Sequence, residues 1–365
     1  MFRRATLPAG SLAAASLLAA TVTCQSSRMK ENRVLADKHR VVLIGWPIKA
    51  AVAAQDPRAH TLDALFGYLA EAGYDGCELT TRDFKTLYFD AERTSLAHVI
   101  WEVNAAARRA GLRSAAVGGL YQVVDGGAPH PTWQKADGSA IFCLRDLDKE
   151  PEVFEERLRL QLLDDKKIGV GYATFQVHLP ERWMNTGGEY RQDTQYLHRV
   201  AKHIMRLQAV CFDCGVNFYI ESHVDRVSED PEAFCEIMQA ADFFEVNGDL
   251  SHYIYRDNSK GGDVAAIMAR VGHTHQRLAR PLGDLSAEPE DLQRDFEAGG
   301  ATFLAWQMFR RAAINGLSSR TVGGETGPAF EVKDALDLDR ALVPLWRKMA
   351  AYADEQAAEP ESPAL

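Results

Sequence analysis

The residues best suited to chemistry in this 365-residue chain gather at the ends of its last four strand-like runs. These close as Phe218-Tyr219-Ile220-Glu221-Ser222-His223, Phe244-Glu245-Val246-Asn247-Gly248-Asp249, Val271-Gly272-His273-Thr274-His275 and Thr321-Val322-Gly323-Gly324-Glu325. A single carboxylate leaving a strand is ordinarily solvated, and a lone histidine ordinarily packs in a core. Four at matching places in consecutive units form a set. Brought to one mouth, Glu221, Asp249, His275 and Glu325 offer three carboxylates and one imidazole. Three anions in a cleft repel one another unless a cation holds them, so a divalent metal ion is expected. Mostly oxygen ligands favour Mn²⁺, Mg²⁺ or Co²⁺, with Zn²⁺ also compatible, and one ion is expected.

The elements that must position this set alternate along the chain. Strand-like runs occur at Val41–Gly45, Tyr74–Leu79, Arg113–Val117, Tyr172–His178, Asn217–His223, Phe243–Asp249, Val271–His275 and Thr321–Gly324. Helical patterns lie between and after them, at Leu62–Ala72, Leu96–Ala110, Phe154–Lys167, Thr194–Phe212, Pro231–Ala241, Asp263–Ala269, Ala301–Leu317 and Asp334–Ala351. Leu62, Leu65, Phe66 and Leu69 illustrate the three- and four-residue spacing of the helices. Eight such pairs predict a single (β/α)8 barrel of the TIM type, whose chemistry sits at the strand C-termini. An open doubly wound sheet would carry a Gly-rich phosphate turn after its first strand, where Trp46-Pro47-Ile48-Lys49 stands instead. The barrel is expected over residues 41–356, after a lead-in at 29–40 and before a frayed tail at 357–365. A long segment, 118–151, follows the third strand and is either a lid over the mouth or a plain insertion.

Composition is globular, with 46% hydrophobic and 25% charged residues, which excludes a disordered chain. A net charge of −10 lacks the basic footprint of a nucleic-acid binder. Six cysteines in this length do not make a disulfide scaffold. Cys211 and Cys214 have redox or zinc spacing but no second pair, so a structural role is preferred. Residues 1–28 place Arg3-Arg4 before an uncharged stretch from Ala5 to Ser27, as in a twin-arginine export signal. The alternatives are a periplasmic enzyme with this leader, or a cytoplasmic one that starts at Met29. The apolar run is too short for a stable membrane span.

The strand-end pattern of Glu221-x-His223, Asp249-x-x-His252, His273-x-His275 and Glu325-x-Gly327-Pro328 resembles the xylose isomerase-like TIM barrel superfamily, with its sugar phosphate isomerases and epimerases. The resemblance runs from Val41 to Ala351, and includes Gly76–Leu79 as the second strand. It implies that Glu221, Asp249, His275 and Glu325 are metal ligands and that His252 contacts substrate. Arg280 resembles the substrate-binding arginine of ketose 3-epimerases, with Arg277 as the alternative. Endonuclease IV, in the same superfamily, needs further histidines on its second and third strands. Here those strands end Glu78-Leu79-Thr80 and Val117-Gly118-Gly119, which argues against a nuclease.

The implied reaction is isomerisation or epimerisation of a sugar or keto-polyol by α-proton abstraction, through an enediolate stabilised by the ion. Glu221 and Glu325 are the implied acid/base pair. The alternative is a metal-dependent lyase or dehydratase acting on a keto-sugar or keto-cyclitol. Behind these stand a non-catalytic sugar-binding barrel and the nuclease. His178, His223 and Trp46 are further candidates for contact with the carbohydrate, each weighed against plain packing, as is Trp183. The expected partner is a small-molecule carbohydrate, and a homo-oligomer is compatible with the sequence.

Overall fold

The computed structural model describes residues 40–125, 141–183, 189–223, 226–241, 244–249, 252–253, 262–276, 321–324, 336–337, 340, 343–344 and 346–347. The expected leader and tail lie outside these residues, as does the lead-in apart from Arg40, which opens the first strand.

Nine strands are present among them: β1 (Arg40–Ile44), β2 (Cys77–Glu78), β3 (Ala116–Val124), β4 (Ile141–Cys143), β5 (Tyr172–Val177), β6 (Asn217–Glu221), β7 (Glu245–Asn247), β8 (Val271–Gln276) and β9 (Thr321–Gly324). They pair in the order β2-β1-β9-β8-β7-β6-β5-β3-β4, and a further pairing of β2 with β3 closes eight of them into a ring. Every pairing is parallel, as when β1 sets Leu43 against Cys77 on one side and Gly324 on the other. The expected barrel is thus observed, with β4 added beside the far end of β3 at Gln122–Val124.

Parallel strands covered on both faces read as continuous apolar runs. Alternation along β5 sends Ala173, Phe175 and Val177 outward into the main helix-packed core. Tyr172 turns inward and closes the barrel floor with Val42, Val117 and Tyr219. Gly118 permits this floor, since a Cβ there would lie 2.0 Å from the Tyr172 ring.

The connecting helices include α1 (Gly45–Ala53), α2 (Leu62–Ala72), α3 (Thr81–Tyr88), α4 (Leu96–Arg109), α5 (Leu144–Lys149), α6 (Pro151–Lys166), α7 (Thr194–Asp213), α8 (Pro231–Ala240) and α9 (Gly262–Met268). Thr61 caps α2 by accepting from the Ala64 amide, and Gly73 ends it at φ 86°. A capping box between Thr80 and Asp83 starts α3 two residues after β2. Asp230 caps α8, with Pro231 in its first turn.

Several boundaries differ from expectation. The third strand runs through Val124 rather than stopping at Val117, so 118–124 is barrel wall. Residues 141–149 form β4 and α5, while 126–140 lie outside the described residues. The second and sixth runs are shorter than expected, at Cys77–Glu78 and Glu245–Asn247, the residues that pair with neighbouring strands. Most of the two expected C-terminal helices is undescribed, but Leu336, Val343 and Trp346 bury in the core cluster around α2.

Candidate metal centre

The strand ends deliver their polar side chains to one place. His275, near the end of β8, lies between two carboxylates: Nδ1 is 2.7 Å from Glu221 Oε1, and Nε2 is 2.7 Å from Glu78 Oε2. All three side chains are buried. Burial alone would drive a proton off the imidazole, but the flanking Glu78 and Glu221 charges prevail and raise its pKa well above the ordinary value. Burial likewise disfavours ionised Glu78, but the His275 charge and hydrogen bond, with smaller help from His273 and Thr174, together outweigh it, so that carboxyl titrates lower than usual.

Backbone and side-chain contacts fix these groups. Asn247 of β7 accepts the His275 backbone N–H on Oδ1 at 2.9 Å. Ser222, after β6, accepts the Asp249 amide at 2.8 Å and so ties that loop to its neighbour. Ser228 donates to the Glu221 carbonyl at 2.5 Å and accepts from the His223 amide. Below the site, His273 packs 4.4 Å from Tyr172 and 5.1 Å from His275, ring centre to ring centre, joining the floor to the centre.

Glu221, Asp249 and His275 each place a ligand atom within 4.8 Å of the others. Glu221 does the same with His223 and His252, as does Glu78 with His273 and His275. Asp249 also approaches His252 Nε2 at 3.3 Å. The donors are carboxylate oxygens and imidazole nitrogens without a thiolate, which suits a divalent ion of the Mg²⁺, Mn²⁺, Co²⁺ or Zn²⁺ group. Glu78 on the far nitrogen of His275 has the place of the carboxylate that commonly orients a metal-bound histidine. The residues fit such an ion, and Glu221, Asp249 and His275 are one group that could hold it.

The sequence-expected residues thus divide into groups. Glu221, Asp249, His275, His223 and His252 come together. Glu325, Arg277 and Arg280 lie outside the described residues. His178 is buried beside the site and pairs with Gln122 Oε1, and burial pushes its pKa down to about 2. Trp46 is exposed on the first turn of α1. Trp183 packs at a tilt against Tyr190 and Tyr196 under the Arg182 guanidinium. Cys211 and Cys214 are free thiols at the end of α7.

Glu78, Gln176 and Arg226 were not among the expected site residues. Glu78 obeys the same rule as the others, a carboxylate at a strand end.

No protein-family model matches the chain, and no curated protein is similar to it in sequence. Its fold is similar to that of a solved protein described as a xylose isomerase-like TIM barrel. That protein, from Mycobacterium smegmatis and solved in complex with magnesium, superposes with a TM-score of 0.51 at 13% identity, covering 88% of this chain and 99% of that one. The IolI protein, solved with a zinc atom, matches with a TM-score of 0.51 at 12% identity over 88% and 100% of the two chains. The probable 3-DHS dehydratase AsbF of Bacillus anthracis gives a TM-score of 0.50 at 11% identity over 84% and 98%. Among the described residues no helix is long and apolar enough to cross a membrane.

Proposed function

We propose that the chain is a divalent-metal-dependent isomerase or epimerase that moves the α-proton of a small sugar or keto-polyol. The observation that carries this reading is the buried His275 imidazole between Glu221 and Glu78, with Asp249 close by, at the C-terminal mouth of a parallel barrel. Zinc and magnesium in solved barrels of the same fold support a divalent ion here. Such an ion supplies Lewis-acid polarisation of a substrate carbonyl and stabilises the charge left when the α-proton departs.

The protein's own part is to hold and move protons. Glu221 is proposed as both ligand and base: its Oε1 faces His275, while Gln176 holds its Oε2. Glu78 keeps the His275 ring in place. Glu325 is proposed as the second acid/base group, and Arg280 as a substrate contact with His178, His223, His252 and Trp46. With a second carboxylate across the substrate, a proton taken from one face can be returned to the other.

The test is hydrogen exchange. Candidate ketoses and keto-polyols are incubated in D₂O with the metal-loaded protein and followed by NMR. Deuterium entering at the α-carbon, and absent in Glu221→Ala, supports the reading. Exchange accompanied by loss of water or another β-substituent assigns the lyase instead. No exchange with any substrate in the presence of bound metal overturns both.

A further inference from the structure

Beside Glu221 runs a chain of polar side chains, of which the proposed reaction uses only His178, as a substrate contact. Gln122 lies on β3, Gln176 on β5, His178 just beyond β5 and Arg226 after β6. Gln176 Nε2 donates to Glu221 Oε2 at 2.5 Å. Gln176 Oε1 accepts from Gln122 Nε2 at 2.8 Å and from Arg226 Nη2 at 3.1 Å. Gln122 Oε1 in turn meets His178 Nε2. The backbones of His178 and Arg226 form an antiparallel bridge that holds the outer end of the chain.

Chemistry dictates the direction of every bond. A guanidinium only donates and a carboxylate only accepts. Gln176 therefore has its oxygen toward Arg226 and its N–H toward Glu221, and a flipped amide would break both contacts. Gln122 must then present its NH₂ to Gln176 and its oxygen to His178. The imidazole is left to donate from Nε2, as its neutral tautomer. All donors point toward Glu221, and bonds aligned in series polarise one another in the same sense. The Arg226 charge lies on the oxygen of the very amide whose N–H reaches the carboxylate.

We propose that Gln176 and Arg226 are positioning residues that occupy Glu221 Oε2, so that Oε1 alone is presented to the ion and to the substrate proton. This rests on the metal-dependent reading above, and deepens it by giving the two oxygens of one carboxylate different tasks. A network that merely satisfied buried amides could end on backbone groups. This one ends on the carboxylate that also meets His275.

The experiment uses the full-length protein with two readouts: Co²⁺ titration followed by visible absorption, and ¹⁵N-histidine NMR of the metal-free form. The variants are Gln176→Leu, Arg226→Met and Arg226→Lys, with Gln161→Leu as a control in a separate buried amide cluster. Gln176→Leu is expected to weaken Co²⁺ binding ~10–100-fold and to alter its spectrum, the range typical for a lost orienting partner. Arg226→Met should show a smaller loss in the same direction. Arg226→Lys, which still only donates, should restore most of it. The His275 resonance should move in Gln176→Leu and Arg226→Met but not in Gln161→Leu.

Wild-type affinity and an unmoved His275 signal in both Gln176→Leu and Arg226→Met overturn the proposal. If Gln176→Leu does not fold, the Met and Lys variants decide: recovery by Lys supports the proposal, and identical behaviour overturns it. If the wild type itself binds no Co²⁺, the functional reading fails. The metal-free His275 signal then decides the positioning claim by itself.

Discussion

Two buried carboxylate clusters in this barrel have opposite characters. Asp165, near the end of α6, accepts from the Thr81 backbone and hydroxyl at 2.7 Å each, from Tyr121 Oη at 2.6 Å and from Gln161 Nε2 at 2.9 Å. All these donors are neutral, and burial pushes its pKa up to about 6. Around His275, by contrast, Glu78, Glu221 and Asp249 converge on one imidazole, and Glu78 titrates lower than usual. Both clusters are buried, so burial does not distinguish a structural carboxylate from a functional one. What distinguishes them is the partner. Asp165 is saturated by donors from α3, β3 and α6 and ties those elements together. The second cluster gathers three carboxylates around one imidazole, an arrangement that a cation taking the place of the imidazole proton would complete.

The double change Glu221→Ala with Asp249→Ala strips the His275 cluster of two of its carboxylates. It should abolish ion binding and reduce α-proton exchange by more than ~10³-fold, within the range for a lost general base, in a fold that stays intact by circular dichroism. Next in size, Glu78→Gln should cost ~10–100-fold in metal affinity by releasing the His275 ring, measured by calorimetric titration. The corresponding change in the other cluster, Asp165→Asn, should act in the opposite way. Its new NH₂ faces donors, so unfolding in urea should show a loss of about 1–3 kcal/mol while metal affinity stays within about twofold.

A pH series gives the smallest effect and the finest comparison. The folded pKa of Asp165, about 6, stands above its ordinary value of 3.8, so the folded state binds the proton more tightly. The stability it contributes is therefore full below that ordinary value and is lost as pH rises through the folded value. Urea unfolding between pH 4 and 7 should show wild type losing stability relative to Asp165→Asn across this window.

Much of the fold was legible because its signals were periodic. The expected helix at Leu62–Ala72 is observed with those bounds, since an apolar stripe lies between a threonine cap and Gly73. Glu221 and His275 stood out because charged groups at a period of two near the end of an apolar strand are unusual. Other features carried little signal. The sequence of α3, Thr81–Tyr88, is short and polar, and its capping box is what secures it. Gly118-Gly119 looked like the end of the third strand. In the structure Gly118 makes room for the Tyr172 ring and the strand continues, which brings Gln122 into the barrel wall. Amides such as Gln122 and Gln176 have no periodic or charge signature, and only their partners across the barrel disclose a role.

Metal content is the direct measure of whether the His275 cluster holds an ion. Purified protein, reconstituted with Mn²⁺, Co²⁺ or Zn²⁺ and dialysed, should retain about one divalent ion per chain by mass spectrometry, while Glu221→Ala with Asp249→Ala retains none. Equal metal content in the two proteins, or none in the wild type after reconstitution, would contradict a metal centre at His275.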